Sequence, residues 1–440
     1  MHMRSMMAAI SAAVAMGAAN AVANTWYVSP EGGGDGSDRE HPTDAQTAFK
    51  ALNASTESDN EIVFLKGDYY SSATHMRSNT TDGKSWLAIT KNQSTYTIRG
   101  ETGNPEDVIF RDGSVGETRC MIIFASGVKG VVSGLTFEGF GYTGTGGGCA
   151  YGTRLDTSGG TSDCMVSNCV FRYHPKNPIY KASQSSCDRF VDCTFLCNTG
   201  SVPTVSGMGG ATVAGCYRCW FEGNCRTGTS NGSVCRGNSW DCVFTNNTSS
   251  KYIVDLASSI HTRGVFIGNN SVVASGAVLS NCLVACNNAA AGYQAKFVGC
   301  TIVSNKNYGI VTTSSMVAEN CIIVGHPVPP NTESGGDLSA GSGDYAKNCY
   351  FGTHRKGTFH GENCTSGMTV ETIKFAPPDE KHPWGWALRR RSPCIGEGCA
   401  AGYDAADIDC AGLPRLGPDG KLDVGCYQYV KKVGLLMTVK

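Results

Sequence analysis

Two short stretches carry side chains that could do chemistry. The first, Arg172-Tyr173-His174-Pro175-Lys176-Asn177-Pro178-Ile179-Tyr180-Lys181, crowds cations and rings into one turn. Guanidinium and ammonium groups meet carboxylates through charge-assisted hydrogen bonds, and flat rings offer stacking surfaces. Arg172, His174, Lys176 and Tyr180 are therefore candidate contacts for an acidic sugar, with Trp220 and Glu222 further along the chain. A solvated turn stiffened by two prolines accounts for the same residues. The second stretch holds Lys251, Asp255, His261 and Arg263. They could supply a base, a cation ligand and a charge neutraliser, the parts needed to abstract a proton beside a uronate carboxyl. Ordinary surface charge accounts for them as well.

A repeat must position these groups. Cys193-Thr194-Phe195-Leu196-Cys197-Asn198 recurs as Cys219-Trp220-Phe221-Glu222-Gly223-Asn224 and as Cys242-Val243-Phe244-Thr245-Asn246-Asn247. Further stations begin at Cys169, Gly264, Cys282, Cys300, Cys321 and Cys349. The pattern is Cys-x-(Phe/Val/Ile)-x-x-(Asn/His), and its period of about 22 residues marks a solenoid. Each copy reads as a strand, with Cys and Phe on one face. One strand per short coil, always in the same direction, builds an all-β parallel β-helix of about ten coils. Equivalent side chains then pile into ladders: Phe and aliphatic residues in the core, Asn at a turn. His174 and His326 occupy the Asn slot and are expected as members of that ladder. A propeller would need about 40 residues and four strands per blade, which the period does not offer.

The cysteines divide the same way. Of 22, eight (169, 193, 219, 242, 282, 300, 321 and 349) fill the inward slot of the repeat and read as small buried hydrophobes, mostly free thiols. Elsewhere Cys394 with Cys399 and Cys410 with Cys426 are candidate disulfides. No zinc spacing is present. With a net charge of −1 and a pI near 6.7, the chain carries no electrostatic footprint for nucleic acid.

The ends add organisation. Arg4, the small apolar run from Met6 to Ala18 and Ala21-Val22-Ala23 read as a cleavable export signal over residues 1–23. No later segment approaches the length of a membrane span. Residues 24–115 read as an N-terminal cap and first coils, with a capping helix over Ala45–Ala54. Residues 116–352 hold the repeats, and residues 353–440 form a strand-poor capping or anchoring tail. In the later repeats the outward positions form an apolar strip: Val265 and Ile267, Leu283 and Ala285, Thr301 and Val303, Ile322 and Val324. Water rarely meets so large a bare patch. Leu283 and Ile322 are therefore expected to be covered, with the chain's own tail as the nearest candidate and a partner protein or the cell envelope as the other.

Tyr27-Val28-Ser29-Pro30 with Gly32, Asp35 and Ala48-Phe49-Lys50-Ala51-Leu52 resembles the leader of secreted right-handed parallel β-helix proteins of the pectate-lyase-like superfamily. Ser392-Pro393-Cys394-Ile395-Gly396, Asp407-Ile408-Asp409-Cys410-Ala411-Gly412-Leu413-Pro414-Arg415 and Asp423-Val424-Gly425-Cys426-Tyr427-Gln428-Tyr429 resemble the closing segment of bacterial cell-surface β-helix proteins with a variable anchoring end. The Phe-x-x-Asn copies and Gly209-Gly210-Ala211 are similar to the repeats of polymorphic outer-membrane proteins, which are surface adhesins. The autotransporter barrel of that family is missing here.

These resemblances imply a secreted or cell-surface, monomeric solenoid capped at both ends. Its implied partner is a polysaccharide, uronate-containing where the basic turn is used, or a component of the cell envelope. If it is an enzyme, the resemblance implies a polysaccharide lyase or glycoside hydrolase, with Ca²⁺ as the cation of a lyase. The Asp-Asp and Gly-His-Gly of polygalacturonase-like chains are absent, as is the Arg-x-Pro-x-x-Arg of pectate-type lyases. A rigid, non-catalytic surface or adhesin-like protein is the alternative.

Overall fold

The computed structural model describes residues 24–73, 76, 85–90, 95–113, 120–124, 128–140, 149–153, 163–175, 178–181, 189–199, 215–225, 233–235, 237–255, 259–311, 317–327, 336–339, 345–356 and 360–430. The export signal, the Gly141–Gly148 loop, Gly209–Ala211, Lys176 and the side chains of Tyr180 and Asp255 lie outside this description. The chain forms two compact units, Met1–Trp220 and Phe221–Lys440. Each is built from coils of parallel strands, so the chain is a parallel β-helix protein.

In the first unit, helix Ala45–Ala54 buries Ala45, Ala48, Phe49 and Leu52, the one-sided spacing of a helix lying on a core. Asp44 caps it by accepting from the Thr47 N–H at 2.9 Å. The coils then present three faces. The first stacks Asn24–Val28, Asp59–Phe64, Thr95–Gly100, Lys129–Ser133, Asp163–Ser167, Arg189–Val191 and Gly215–Tyr217. The second stacks Gly67–Tyr70, Val108–Arg111, Thr136–Glu138, Val170–Arg172 and Thr194–Leu196. The third stacks Ser85–Ile89, Cys120–Phe124, Cys149–Thr153 and Ile179–Lys181. Phe110, Phe137, Phe171 and Phe195 form an inward ladder, with ring centroids 5.4, 5.2 and 5.1 Å apart.

The second unit repeats this plan with shorter coils. One coil runs Ile260–Thr262, Val265–Ile267 and Val272–Ser275, and the next begins at Val278. Three strands per coil replace the single strand expected from the sequence. Cys-x-Phe marks only the second face, while the other strands, such as Ile260–Thr262, share no such signature. The second-face strands also number a few more than the ten coils expected.

The turn from first to second face is set by backbone geometry. Its corner residue is left-handed in every described coil of the repeat region. Asn168, Asp192 and Arg218 in the first unit, and Asp241, Arg263, Asn281, Asn320 and Asn348 in the second, have φ between 49° and 57°. Asn and Asp tolerate this region better than other side chains. The two arginines are each held by a fork of two hydrogen bonds to the aspartate one coil earlier: Arg218 to Asp192 at 2.8 Å twice, Arg263 to Asp241 at 2.6 and 2.7 Å.

After the second face comes the Asn ladder. In the second unit Asn224, Asn247, Asn269, Asn287 and Asn305 follow one another, each described backbone N–H donating to the next Asn Oδ1 at 2.9–3.0 Å. The Asn305 amide then donates to His326 Nε2 at 3.1 Å, so His326 carries its proton on Nδ1 and gives it to Asp337 at 2.6 Å. The chain of donors thus ends on a buried carboxylate, which Thr353 N–H also reaches at 2.7 Å. His326 is a ladder member, as expected.

The tail folds over the apolar strip of the second unit. Leu283, Ala285, Val303, Ile322 and Val324 are fully buried. Cys426 N–H donates to Thr301 Oγ1 at 3.0 Å and Gly425 N–H to Asn320 O at 2.9 Å. A Cβ at Gly425 would come within 2.9 Å of Ile322, so glycine is needed for this approach. Asn320 docks the tail further, accepting from Cys399 N–H and donating to Cys399 O. Inside the tail, the Asp409 and Asp423 carboxylates are buried, and backbone N–H groups of Ala411, Leu413, Gln428, Gly396 and Tyr429 satisfy them. The sequence motif of the closing segment is therefore the interior of a cap.

Candidate functional site

The second face of the first unit carries a polar row on its outward side. Register places Tyr70, Arg111, Glu138, Arg172 and Leu196 side by side, one per coil. Because side chains alternate along a strand, these residues point out where Phe110, Phe137 and Phe171 point in. Arg111 binds Glu138 through Nη1 and reaches Asp68 at 3.3 Å. Arg172 Nε donates to the other Glu138 oxygen at 2.7 Å, and its Nη1 donates to both oxygens of Glu106 at 2.9 Å. Acids and guanidinium groups thus alternate as Asp68, Arg111, Glu138, Arg172 and Glu106. Burial works against the Arg172 charge, but the bonds to Glu138 and Glu106 outweigh it and push its pKa up. Tyr173, 54% exposed, lies beside the Arg172 guanidinium at 5.9 Å, and Tyr70 is 47% exposed.

Among the described residues singled out from the sequence, only Arg172 belongs to this row. His174 is fully buried in the turn ladder: its N–H donates to Asn198 Oδ1 at 3.1 Å, and its ring nitrogens face the Phe137 and Phe140 carbonyls at 3.1 and 3.2 Å. Burial pulls its pKa down to about 4. Trp220 and Glu222 are half-buried at the division between the units.

Lys251, His261 and Arg263 do not converge, and the backbone puts Asp255 at the end of a third-face strand. Lys251 is exposed and precedes the third-face strand that ends at Asp255. His261 points into the core from the first face, held between the Ser239 and Ser259 hydroxyls at 2.8 and 3.1 Å, and burial pulls its pKa down to about 3. Arg263 is spent on Asp241 at the turn. A fully buried, neutral imidazole cannot reach a polymer, and a paired guanidinium must give up its carboxylate to neutralise another.

Cys394, Cys399, Cys410 and Cys426 are free thiols in this structure. Cys410 and Cys426 are neighbours, with Cys410 N–H donating to Cys426 O at 3.0 Å. Cys394 is buried, and burial pushes its thiol up to about 12 against a hydrogen bond from Ser392. The inward cysteines are free and buried too, each described thiol donating to a backbone carbonyl, as in Cys300 to Leu279 O at 3.3 Å. Among the described residues, no group of three or more His, Cys, Asp or Glu is arranged to hold a metal ion, and no helix is long and apolar enough to cross a membrane.

Tyr70, Arg111, Glu138 and Glu106 escaped the sequence reading because the early coils lack the cysteine. The signal present was Phe110 and Phe137, each one residue before a charged outward position.

No protein-family model and no curated sequence matches the chain. Among solved structures it is similar to the pectate lyase Pel9A, at 11% identity and a TM-score of 0.40 over 92% of this chain and 96% of that one. It is also similar to the A-module of the Azotobacter vinelandii mannuronan C-5 epimerase AlgE4, at 13% identity and 0.39 over 74% and 92%. A third likeness is to PfbA, a surface adhesin of Streptococcus pneumoniae, at 9% identity and 0.36 over 77% and 90%. At these values the likeness assigns no activity, and the fold rests on the strand order described above.

Proposed function

We propose that this protein is a secreted or cell-surface polysaccharide-binding protein whose outward row in the first unit takes a uronate-containing polymer. The observation that carries this is the Arg172–Glu106 contact. Glu106 approaches from a separate loop and its side chain is 52% exposed. Because the Glu106 side of the pair opens to solvent while Arg172 is largely enclosed, a ligand carboxylate can take the place of Glu106 and keep the guanidinium paired. Arg172 Nη1 would then meet the sugar carboxylate as it meets the two Glu106 oxygens, with the Tyr173 ring beside it and Tyr70 further along the row. Glu138 is engaged on both oxygens by guanidinium groups, which leaves it a holder of the row and not a base. Binding without catalysis is therefore the reading the geometry favours.

Affinity electrophoresis of the mature chain through gels containing alginate or polygalacturonate tests this. Arg172→Ala should abolish retardation, and Glu106→Gln, which removes the competing carboxylate, should strengthen it. Ultraviolet absorbance should reveal no unsaturated ends after long incubation. Lack of retardation by any uronate polymer, or retardation indifferent to both substitutions, rejects the proposal. Growth of unsaturated ends would make the protein a lyase.

A further inference from the structure

Past the short helix Val370–Ile373, the described tail contains no strand or helix, only isolated bridges. It must nevertheless keep its shape over the apolar strip. Two of its cysteines meet where it docks. Cys426 N–H donates to Thr301 Oγ1 on the strip, and the Cys410 thiol donates to Arg263 O at the corner. Cys410 N–H donates to Cys426 O at 3.0 Å, which brings the two backbones together, and the two thiols are in hydrogen-bonding contact. Cys426 is buried and Cys410 half-buried.

Two properties set this pair apart from the ladder thiols. Cys282, Cys300 and Cys321 precede residues paired in register, so their side chains lie parallel at a strand spacing of about 4.8 Å. That is wider than the roughly 3.8 Å between the Cβ atoms of a disulfide. Cys410 and Cys426 lie in irregular segments that no parallel register holds apart. The second property is acidity. The Cys426 thiol, and after it burial, hold the Cys410 thiol well above its usual range. Disulfides that are easy to reduce owe this to a stabilised thiolate in the reduced form. Cys410 has none, so the oxidised pair is favoured.

We propose that Cys410 and Cys426 close to a disulfide in the exported protein, and that this bond locks the tail over the strip. The co-reactant is a small-molecule disulfide such as oxidised glutathione. Closure takes place while the tail folds onto the strip, when both thiols are open to it. One thiolate of the pair attacks a glutathione sulfur and releases the first glutathione thiolate. The other then attacks the protein sulfur of the mixed disulfide and releases the second. One S–S bond forms in the protein, one breaks in the reagent, and the two protein thiol protons end on the two glutathiones. The thiol hydrogen bond to Arg263 O is lost with its proton, while the Cys426 N–H contact to Thr301 stays. The step needs the oxidising compartment that the proposed secretion supplies, and nothing of the Arg172 row.

The full chain, reduced and then refolded in glutathione redox buffers, tests it. Trypsin cuts between the two cysteines at Arg415 and Lys421. Non-reducing mass spectrometry should therefore find their two peptides joined, separating on reduction, while the ladder cysteines are alkylated as free thiols. Hydrogen exchange reads what the bond does. The Gly425 and Cys426 amides, which donate to Asn320 O and Thr301 Oγ1, should exchange about tenfold faster in the reduced chain. Cys410→Ser should lose the cross-link and exchange at the fast rate in both buffers, with polyuronate retardation as in the parent. Cys426→Ala takes its place if that variant does not fold. Arg172→Ala should keep the cross-link, so either proposal can fail alone. No joined peptides across the redox range, joining to another cysteine such as Cys282, or a cross-link that leaves exchange unchanged overturns the proposal.

Discussion

At equivalent registers the two units dress their second face differently. In the first, outward positions hold Thr194, Arg172, Glu138 and Arg111, half-buried and facing water. In the second, they hold Val265, Leu283, Val303 and Ile322, all buried, with the tail across them. The inward side is alike in both: an aromatic or aliphatic ladder behind a tight corner, joined by a cysteine in most coils from Cys169 onward. The inward pattern therefore decides that a coil forms, and the outward pattern decides what that coil meets. The bare row is free to meet a ligand, whereas the apolar strip is already occupied by the chain itself.

The sharpest way to break this contrast is to place a charge on each side of it. Leu283→Asp would bury a carboxylate against the tail with no cation beside it, costing about 4 kcal/mol or more. Thr194→Asp, at an equivalent position of the first unit, should stay within about 0.5 kcal/mol. Urea unfolding of both variants gives the comparison. Equal tolerance would mean that the tail is not a cover.

The turn ladder offers a second, smaller contrast. The second unit uses asparagine at five successive rungs, while the first has His174 beside Asn198. Burial keeps His174 neutral in the folded chain, with its pKa pulled to about 4 from 6.5. The unfolded chain takes up that proton once the pH drops below 6.5, so stability is intact above this value. It falls by about 1.4 kcal/mol per pH unit on the way down to pH 4. His174→Asn should remove that component and flatten the acid side of a melting-temperature profile. An unchanged slope would place the imidazole outside the buried ladder.

Much of this architecture could be read from residue order. Cys-x-Phe-x-x-Asn exposed the second face and the ladder because both contacts recur at the same step in every coil. The apolar strip announced its cover, since Leu283, Ala285, Val303 and Ile322 could not all face water. The first and third faces stayed hidden, because strands of three residues such as Ile260–Thr262 carry too few positions to show a period. The Arg172 row stayed hidden for another reason: its partners Glu138 and Glu106 are 34 and 66 residues away, in coils of unequal length. Lys251, Asp255, His261 and Arg263, close in sequence, were dispersed by the same three-faced winding. Closeness along the chain is a poor guide where a corner intervenes every few residues.

The smallest effect sharpens the comparison most, because it cancels everything the two units share. Arg218 and Arg263 occupy the same corner, with φ of 52° and 54°, and each forks onto an aspartate one coil earlier. Glycine at either position relieves the same left-handed strain, about 1 kcal/mol, and loses the same kind of ion pair. What differs is the setting. The Arg218 side chain is 55% exposed, while that of Arg263 is 20% exposed and its carbonyl oxygen receives the Cys410 thiol at 3.7 Å. Arg218→Gly should therefore be neutral or slightly stabilising. Arg263→Gly should be worse by about 0.5–1.5 kcal/mol, the contribution of packing the stem and the pair beneath the tail. Subtracting the two unfolding free energies removes the strain they share and leaves what the tail adds at one corner, the packed stem and the better-covered pair. A difference near zero would show that the tail rests on the strip alone and takes no hold of the turn.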